Sequence, residues 1–179
     1  LKTADAQLVY SAIRVISRNA DGMARATLRN YFEEKLTIED MMAIAPDVLA
    51  AVKVRAPADT MFGNEIRMGG FKALTKFHFK EGIDAGIDLA KSQGGHGSEY
   101  RTAEIMKLVM SYGSAAKYAI PKLKEVIEAF NEQVRRGEYP DGPDLNGKRV
   151  RAVEDAIAFI EAAKDHPELR SVTKGSPKK

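Results

Sequence analysis

The chain has 179 residues, no cysteine and a formal net charge of +3, so disulfides and thiolate metal sites are excluded. Four of its 28 basic residues lie in the last ten positions, which hold no acid, and removing them leaves 24 basic residues against 25 acids. This nearly neutral body argues against a basic nucleic-acid-binding domain, and no stretch approaches the roughly 20 apolar residues that cross a bilayer.

Apolar residues recur at helical spacing along most of the chain and predict eight helical segments in four pairs. The predicted pairs are 3–19 with 22–35, 38–55 with 62–78, 80–92 with 98–111, and 114–135 with 148–164. Thr37 followed by Asp40 predicts a capped helix start, and Ser98 is expected to cap the sixth segment. Pro46 lies inside the third segment and predicts a kink or a split there.

Glycines and the chain end determine how these segments are expected to connect. Gly69-Gly70 lies inside a helical segment, where we expect it to permit close approach of a neighbouring helix. A long turn-rich connection is predicted over 137–147. We predict one helical domain over 1–167 and a basic, disordered tail over 168–179, ending in Ser176-Pro177-Lys178-Lys179.

One helical sequence pattern occurs twice, at 65–74 and at 99–108. Each copy is followed by a break and a further helical segment, and Arg67 and Arg101 occupy the same position in the two copies. Identity between the copies is low, so the agreement lies in the pattern. A repeated helix pair cannot bury its apolar face alone and is expected to stack on its neighbour.

These residues resemble the HEAT repeat family. The stretch 64–74 resembles the second helix of a HEAT repeat, and 147–153 does so as well. The stretch 113–123, with its Pro before a Leu, resembles the first helix, and 45–49 is similar. The resemblance implies an all-α fold, a short right-handed α-solenoid of about four antiparallel helix pairs. A compact helical bundle is the competing fold.

Arg25, Arg67, Arg101 and Arg149 fall at comparable points of four predicted second helices. Because arginine forks onto phosphate and carboxylate, a row of them could form an anion-binding groove. The resemblance implies another role, in which the equivalent arginine ties adjacent repeats together through acids and backbone carbonyls. We predict a partner- or ligand-binding surface made of Arg67, Lys72, His96, Tyr100, Arg101 and Arg149.

His96 lies in the glycine-rich connection 94–99, just before a helix. Three glycines let a backbone approach a ligand closely, and a helix start favours anions. The phosphate-binding spacing Gly-x4-Gly-Lys-Ser/Thr is missing. The three histidines, His78, His96 and His166, are far apart in sequence, and we expect no metal, no cofactor and no catalytic residue.

We therefore expect a non-catalytic helical-repeat scaffold or protein-interaction module, compatible with the C-terminal part of a longer protein. We expect it to bind a protein or a neighbouring domain, and we expect no binding to a membrane. Alternatives are a HEAT-like nucleic-acid-binding protein with a basic concave groove, and an accessory domain of an enzyme with a functional loop at 94–99. We expect a soluble chain, with the cytoplasm favoured, and its start at Leu1 is compatible with a missing N-terminal segment.

Overall fold

The computed structural model describes residues 6–19, 21–55 and 62–172, and these residues form an all-α fold. Its helices are α1 (Ala6–Asn19), α2 (Gly22–Glu34), α3 (Ile38–Lys53), α4 (Glu65–Lys76), α5 (Glu81–Lys91), α6 (Ser98–Met110), a 3-10 helix (Gly113–Ala119), α7 (Ile120–Arg135) and α8 (Gly142–Ala162). The eight predicted helical segments are thereby confirmed.

Two helix starts have side-chain caps, one of which was predicted, and a third start lacks the cap predicted for it. The Asp21 carboxylate accepts from Ala24 N at 2.9 Å at the start of α2. Thr37 and Asp40 form a reciprocal capping box at the start of α3, as predicted. The cap predicted for α6 is wrong, because the N-cap residue is Gly97 with φ +72°, and the Ser98 hydroxyl donates instead to Tyr139 Oη at 3.2 Å.

Prolines move two helix boundaries. Pro46 lies inside α3, which continues through it from Ile38 to Lys53, so the predicted split does not occur. Pro121 stands in the first turn of α7, where its missing N–H has no intrahelical partner to lose. The chain just before it forms the 3-10 helix. Pro143 likewise stands in the first turn of α8, which begins at Gly142 and makes the predicted 137–147 connection shorter.

Contacts group the chain into two compact units, where the sequence predicts a single helical domain over 1–167. The first unit is Leu1–Ala85 with Leu169–Lys179, and the second is Gly86–Glu168. In the first unit α1 packs on α3, α2 packs on α4, and α3 packs on α4. In the second unit α6 and α7 pack on α8, and the 3-10 helix packs on all three of these helices.

Each unit has its own apolar core. The first buries Leu28, Phe32, Val48, Ile66 and Phe71, and the second buries Ile105, Val109, Val126, Phe130 and Val153. Residues 169–172 of the predicted tail are part of the first unit, so the folded chain extends beyond 167. The end of that tail, 173–179 with Ser176-Pro177-Lys178-Lys179, lies outside the described residues.

The glycine pair of α4 allows α2 and α3 to approach α4 closely, as predicted. A Cβ added at Gly69 would lie 2.8 Å from the Arg29 Cα of α2. A Cβ added at Gly70 would lie 2.8 Å from the Val52 Cγ2 of α3. Since real Cβ atoms do not approach backbone this closely, any side chain at position 69 would push α2 away from α4.

Ion pairs flank this close contact between α2 and α4. Arg29 on α2 pairs with Glu65 on α4 through its Nη1. One turn further along α2, Glu33 Oε1 pairs with Lys72 Nζ at 3.0 Å. The Lys72 ammonium, predicted to contact a partner, is therefore engaged within the first unit.

Gly69→Ala is expected to destabilise the protein, although alanine is the better helix former. Its gain in helix propensity of about 1 kcal/mol is outweighed by the overlap with the α2 backbone. The matched control is Gly147→Ala in α8, where an added Cβ meets nothing within 4 Å and φ is not positive. The control should raise the urea midpoint and Gly69→Ala should lower it. If both variants shifted the urea midpoint equally and in the same direction, the close approach of α2 to α4 at Gly69 would be contradicted.

Candidate functional site

Three of the second-helix arginines, Arg25, Arg67 and Arg101, contact oxygen atoms at or just beyond the end of the preceding helix. Arg25 Nη2 lies 3.5 Å from Ser17 O in the last turn of α1. Arg67 Nε donates to Val52 O at 2.9 Å in the last turn of α3.

Arg101 on α6 reaches the chain just beyond α5. Its Nε donates to Gln93 Oε1 at 2.8 Å, and its Nη2 lies 3.3 Å from Gly94 O. The last carbonyls of a helix lack intrahelical hydrogen-bond donors and carry partial negative charge. A guanidinium at this end supplies hydrogen-bond donors and a compensating positive charge. Arg25 and Arg67 thus bind a carbonyl in the last turn of the preceding helix. Arg101 instead binds the Gln93 side chain and the carbonyls of the loop that follows α5.

Arg149 lies at the centre of a buried cluster in the second unit. Its Nη2 donates to Gln93 O at 3.0 Å and to Gln133 Oε1 at 2.7 Å. The guanidinium carbon lies 3.6 Å from the centroid of the Phe130 ring and 4.3 Å from that of Tyr139. Burial lowers the pKa of Arg149, while Tyr139 and Glu99 act in the opposite direction. An arginine stays charged under such conditions, so the cluster holds a stacked internal cation.

The glycine-rich loop 94–97 folds around the Arg101 side chain. Arg101 Nη1 donates to His96 O at 3.0 Å, in addition to its bonds to Gln93 and Gly94. Gly95 and Gly97 take φ of +73° and +72°, which glycine adopts without strain. The loop thus turns the carbonyl oxygens of Gly94 and His96 toward a cation of the same unit.

The six predicted binding residues have different surroundings. Arg67 and Arg149 are 7% and 0% exposed, so neither reaches a partner on the surface. Arg101 is half-buried and engaged with the loop.

Lys72 is partly exposed and paired with Glu33. The His96 side chain is 86% exposed, and its Nδ1 contacts Asp141 Oδ1. Tyr100 is 74% exposed on α6. Among the predicted residues, His96 and Tyr100 therefore remain for a surface, both in the second unit.

The structure brings Ser114 and His166 together, a pair that the sequence analysis missed because 52 positions separate them. Ser114 Oγ and His166 Nδ1 lie 3.1 Å apart, within reach for general base catalysis. The amides of Ser114 and Ala115, which could hold an oxyanion, already donate to Asp165 O and Tyr112 O. The pair therefore fastens the chain after α8 to the 3-10 helix.

Metal binding and membrane insertion find no support in the described segments. Across residues 6–19, 21–55 and 62–172, histidines and acids do not gather in threes at metal-binding geometry. Every helix in these ranges is too short or too polar to traverse a lipid bilayer.

Comparison of the chain with protein-family models, with curated proteins and with solved structures finds no significant match.

Arg149→Met is expected to lower the free energy of unfolding by about 2–4 kcal/mol, because it keeps most of the volume but leaves Gln93 O and Gln133 without their donor. The control Arg151→Met changes an exposed arginine of the same helix. It should stay within about 0.5 kcal/mol of wild type in urea unfolding. Similar losses in both variants would contradict the buried role of Arg149.

Arg101→Met is expected to loosen the 94–97 loop with little effect on the rest of the second unit. The Ser98 amide, which donates to Gly95 O, and the Arg101 backbone amide, which donates to Gly97 O, should exchange hydrogen faster. The control Lys107→Met alters an exposed residue on the same helix. Unchanged exchange at both amides in Arg101→Met would show that the guanidinium does not hold the loop.

Proposed function

We propose that the chain is a non-catalytic helical-repeat scaffold of the HEAT-like, short α-solenoid kind, which binds a protein partner or a neighbouring domain. The observation that carries this proposal is the repeated arginine contact. Arg25 and Arg67 each reach a backbone carbonyl in the last turn of the preceding helix, and Arg101 reaches the Gln93 amide oxygen two residues beyond it. A repeat architecture gives equivalent residues equivalent contacts, since each helix pair is one structural unit.

The packing order of the helices is a second source of support. In the first unit alternate helices contact each other, α1 with α3 and α2 with α4, and the pair α3–α4 is also in contact. In the second unit α6 contacts α8, which also pairs with α7. Stacking of alternate helices is what successive helix pairs produce, whereas a bundle around one axis brings all its helices to a common centre.

The chemistry of the loop and of the arginines favours binding over catalysis. Ser98 is fully buried and donates to Tyr139, while His96 contacts Asp141, so the two do not form a nucleophile and base. Arg67 and Arg149 are buried, which removes them from any basic groove for nucleic acid. The nucleic-acid and enzyme alternatives therefore have less support than a protein-binding surface.

Tyr100 is the residue that we propose as the anchor of the partner surface. It stands on α6, a second helix, with 74% of its area exposed, and tyrosine is enriched among residues that dominate binding. Its neighbours on the exposed face include Ala103, Glu104 and Lys107. An apolar ring with charged neighbours is typical of an interface core and rim.

Photo-crosslinking from position 100, with a benzophenone amino acid in place of tyrosine, tests this proposal in extract of the source organism. A discrete adduct is expected, and unlabelled wild-type chain should compete for it. The Tyr100→Ala competitor should compete at least about tenfold less well. The matched competitor is Tyr118→Ala, which removes another exposed tyrosine of the second unit and should compete like wild type. Equal competition by all three chains, or a turnover activity that Tyr100→Ala abolishes, would overturn the proposal.

A further inference from the structure

The segment after α8 returns to the first unit and pairs with the connection between α4 and α5. Arg170 N donates to His78 O at 2.9 Å, and Lys80 N donates to Arg170 O at 2.9 Å. These two bonds form a parallel bridge between Phe79 and Arg170. The Arg170 side chain adds a bond from Nη1 to Phe77 O at 2.9 Å. We call residues 169–172 the clasp.

One carboxylate receives the end of the clasp. Ser171 Oγ donates to Glu81 Oε1 at 2.8 Å, and Val172 N donates to Glu81 Oε2 at 3.0 Å. Glu81 is the first residue of α5, where the helix dipole favours a negative charge. Both carboxylate oxygens are thus used, and both act as acceptors.

The attachment of the clasp is weak enough to be reversible. It consists of five hydrogen bonds to residues 77–81, with Arg170 exposed and Leu169, Ser171 and Val172 half-buried. The net gain from so few hydrogen bonds is of the same size as the entropy lost when four residues become ordered. A single added repulsion is therefore enough to open the clasp.

We propose that the clasp is a charge-controlled latch on the first unit, closed by the Glu81 carboxylate and opened by negative charge at position 171. Phosphoryl transfer from a nucleoside triphosphate to Ser171 Oγ releases the nucleoside diphosphate and the hydroxyl proton. It would set a charged group against Glu81 and remove the proton that Ser171 now donates to Glu81 Oε1. Opening exposes Phe77 O, His78 O, the Lys80 amide and the Glu81 carboxylate together. These are the groups that pair with an extended peptide when it adds to a backbone edge.

The latch does not depend on the proposed partner surface, because all its residues belong to the first unit and Tyr100 belongs to the second. The residue that controls the latch is Ser171, because its side chain and the Val172 amide are the clasp groups that donate to the Glu81 carboxylate. The Arg170 side chain donates to the Phe77 carbonyl instead.

Hydrogen exchange of the full chain, followed residue by residue by NMR, tests the latch. Three amides that donate between the clasp and residues 78–81, those of Lys80, Arg170 and Val172, report its closure. In Ser171→Asp they should exchange at least about tenfold faster than in wild type, since two like charges meet at close range. Ser171→Asn, of the same size but neutral and still able to donate to Glu81, should stay within about threefold of wild type.

The double variant Ser171→Asp with Glu81→Gln supplies the decisive comparison. The amide introduced at position 81 can donate to the carboxylate introduced at position 171 and accept from the Val172 amide, so protection at the three amides should return. The amides of Val48 and Ala51 in α3 serve as the control for global unfolding and should be unchanged in all variants. Unchanged protection in Ser171→Asp, equal loss in Ser171→Asn, or a double variant that stays unprotected would each overturn the proposal.

Discussion

The attachment of second-helix arginines to oxygens at the end of the preceding helix is the interaction on which the account depends. A helix that ends inside a folded unit leaves carbonyl groups without donors, and these groups must be satisfied. Arg67 does this directly, with a bond from Nε to Val52 O at 2.9 Å while it is only 7% exposed. Arginine suits the role because it stays charged when buried and offers five donors.

The same constraint changes what the surface can do. Arginines that hold helix ends are not available to phosphates or to partner carboxylates, so the charge of the sequence overstates the charge that a ligand would meet. In the second unit Arg101 fills the glycine-rich loop, and Arg149 lies between two aromatic rings. Of the predicted binding residues there, His96 and Tyr100 stay exposed.

Local signals in the sequence predicted much of the fold. The capping box at Thr37 and Asp40 spans three residues, and the close approach at Gly69-Gly70 follows from the missing side chains alone. The candidate site was less predictable, because its contacts join distant positions. Arg149 meets Gln93 across 56 positions, and the clasp meets Glu81 across 90. A pattern of apolar residues identifies helices, but it does not tell which arginine turns inward or which part of the tail folds back.

Chemical modification of arginines in the native chain tests the central claim most directly. A dicarbonyl reagent such as phenylglyoxal reacts with accessible guanidinium groups, and mass spectrometry of the digested chain identifies each modified residue. The account predicts modification of the exposed residues Arg135, Arg136 and Arg151, with Arg25, Arg67 and Arg149 protected until the chain is denatured. Native modification of those three at the rate of the exposed arginines would contradict it.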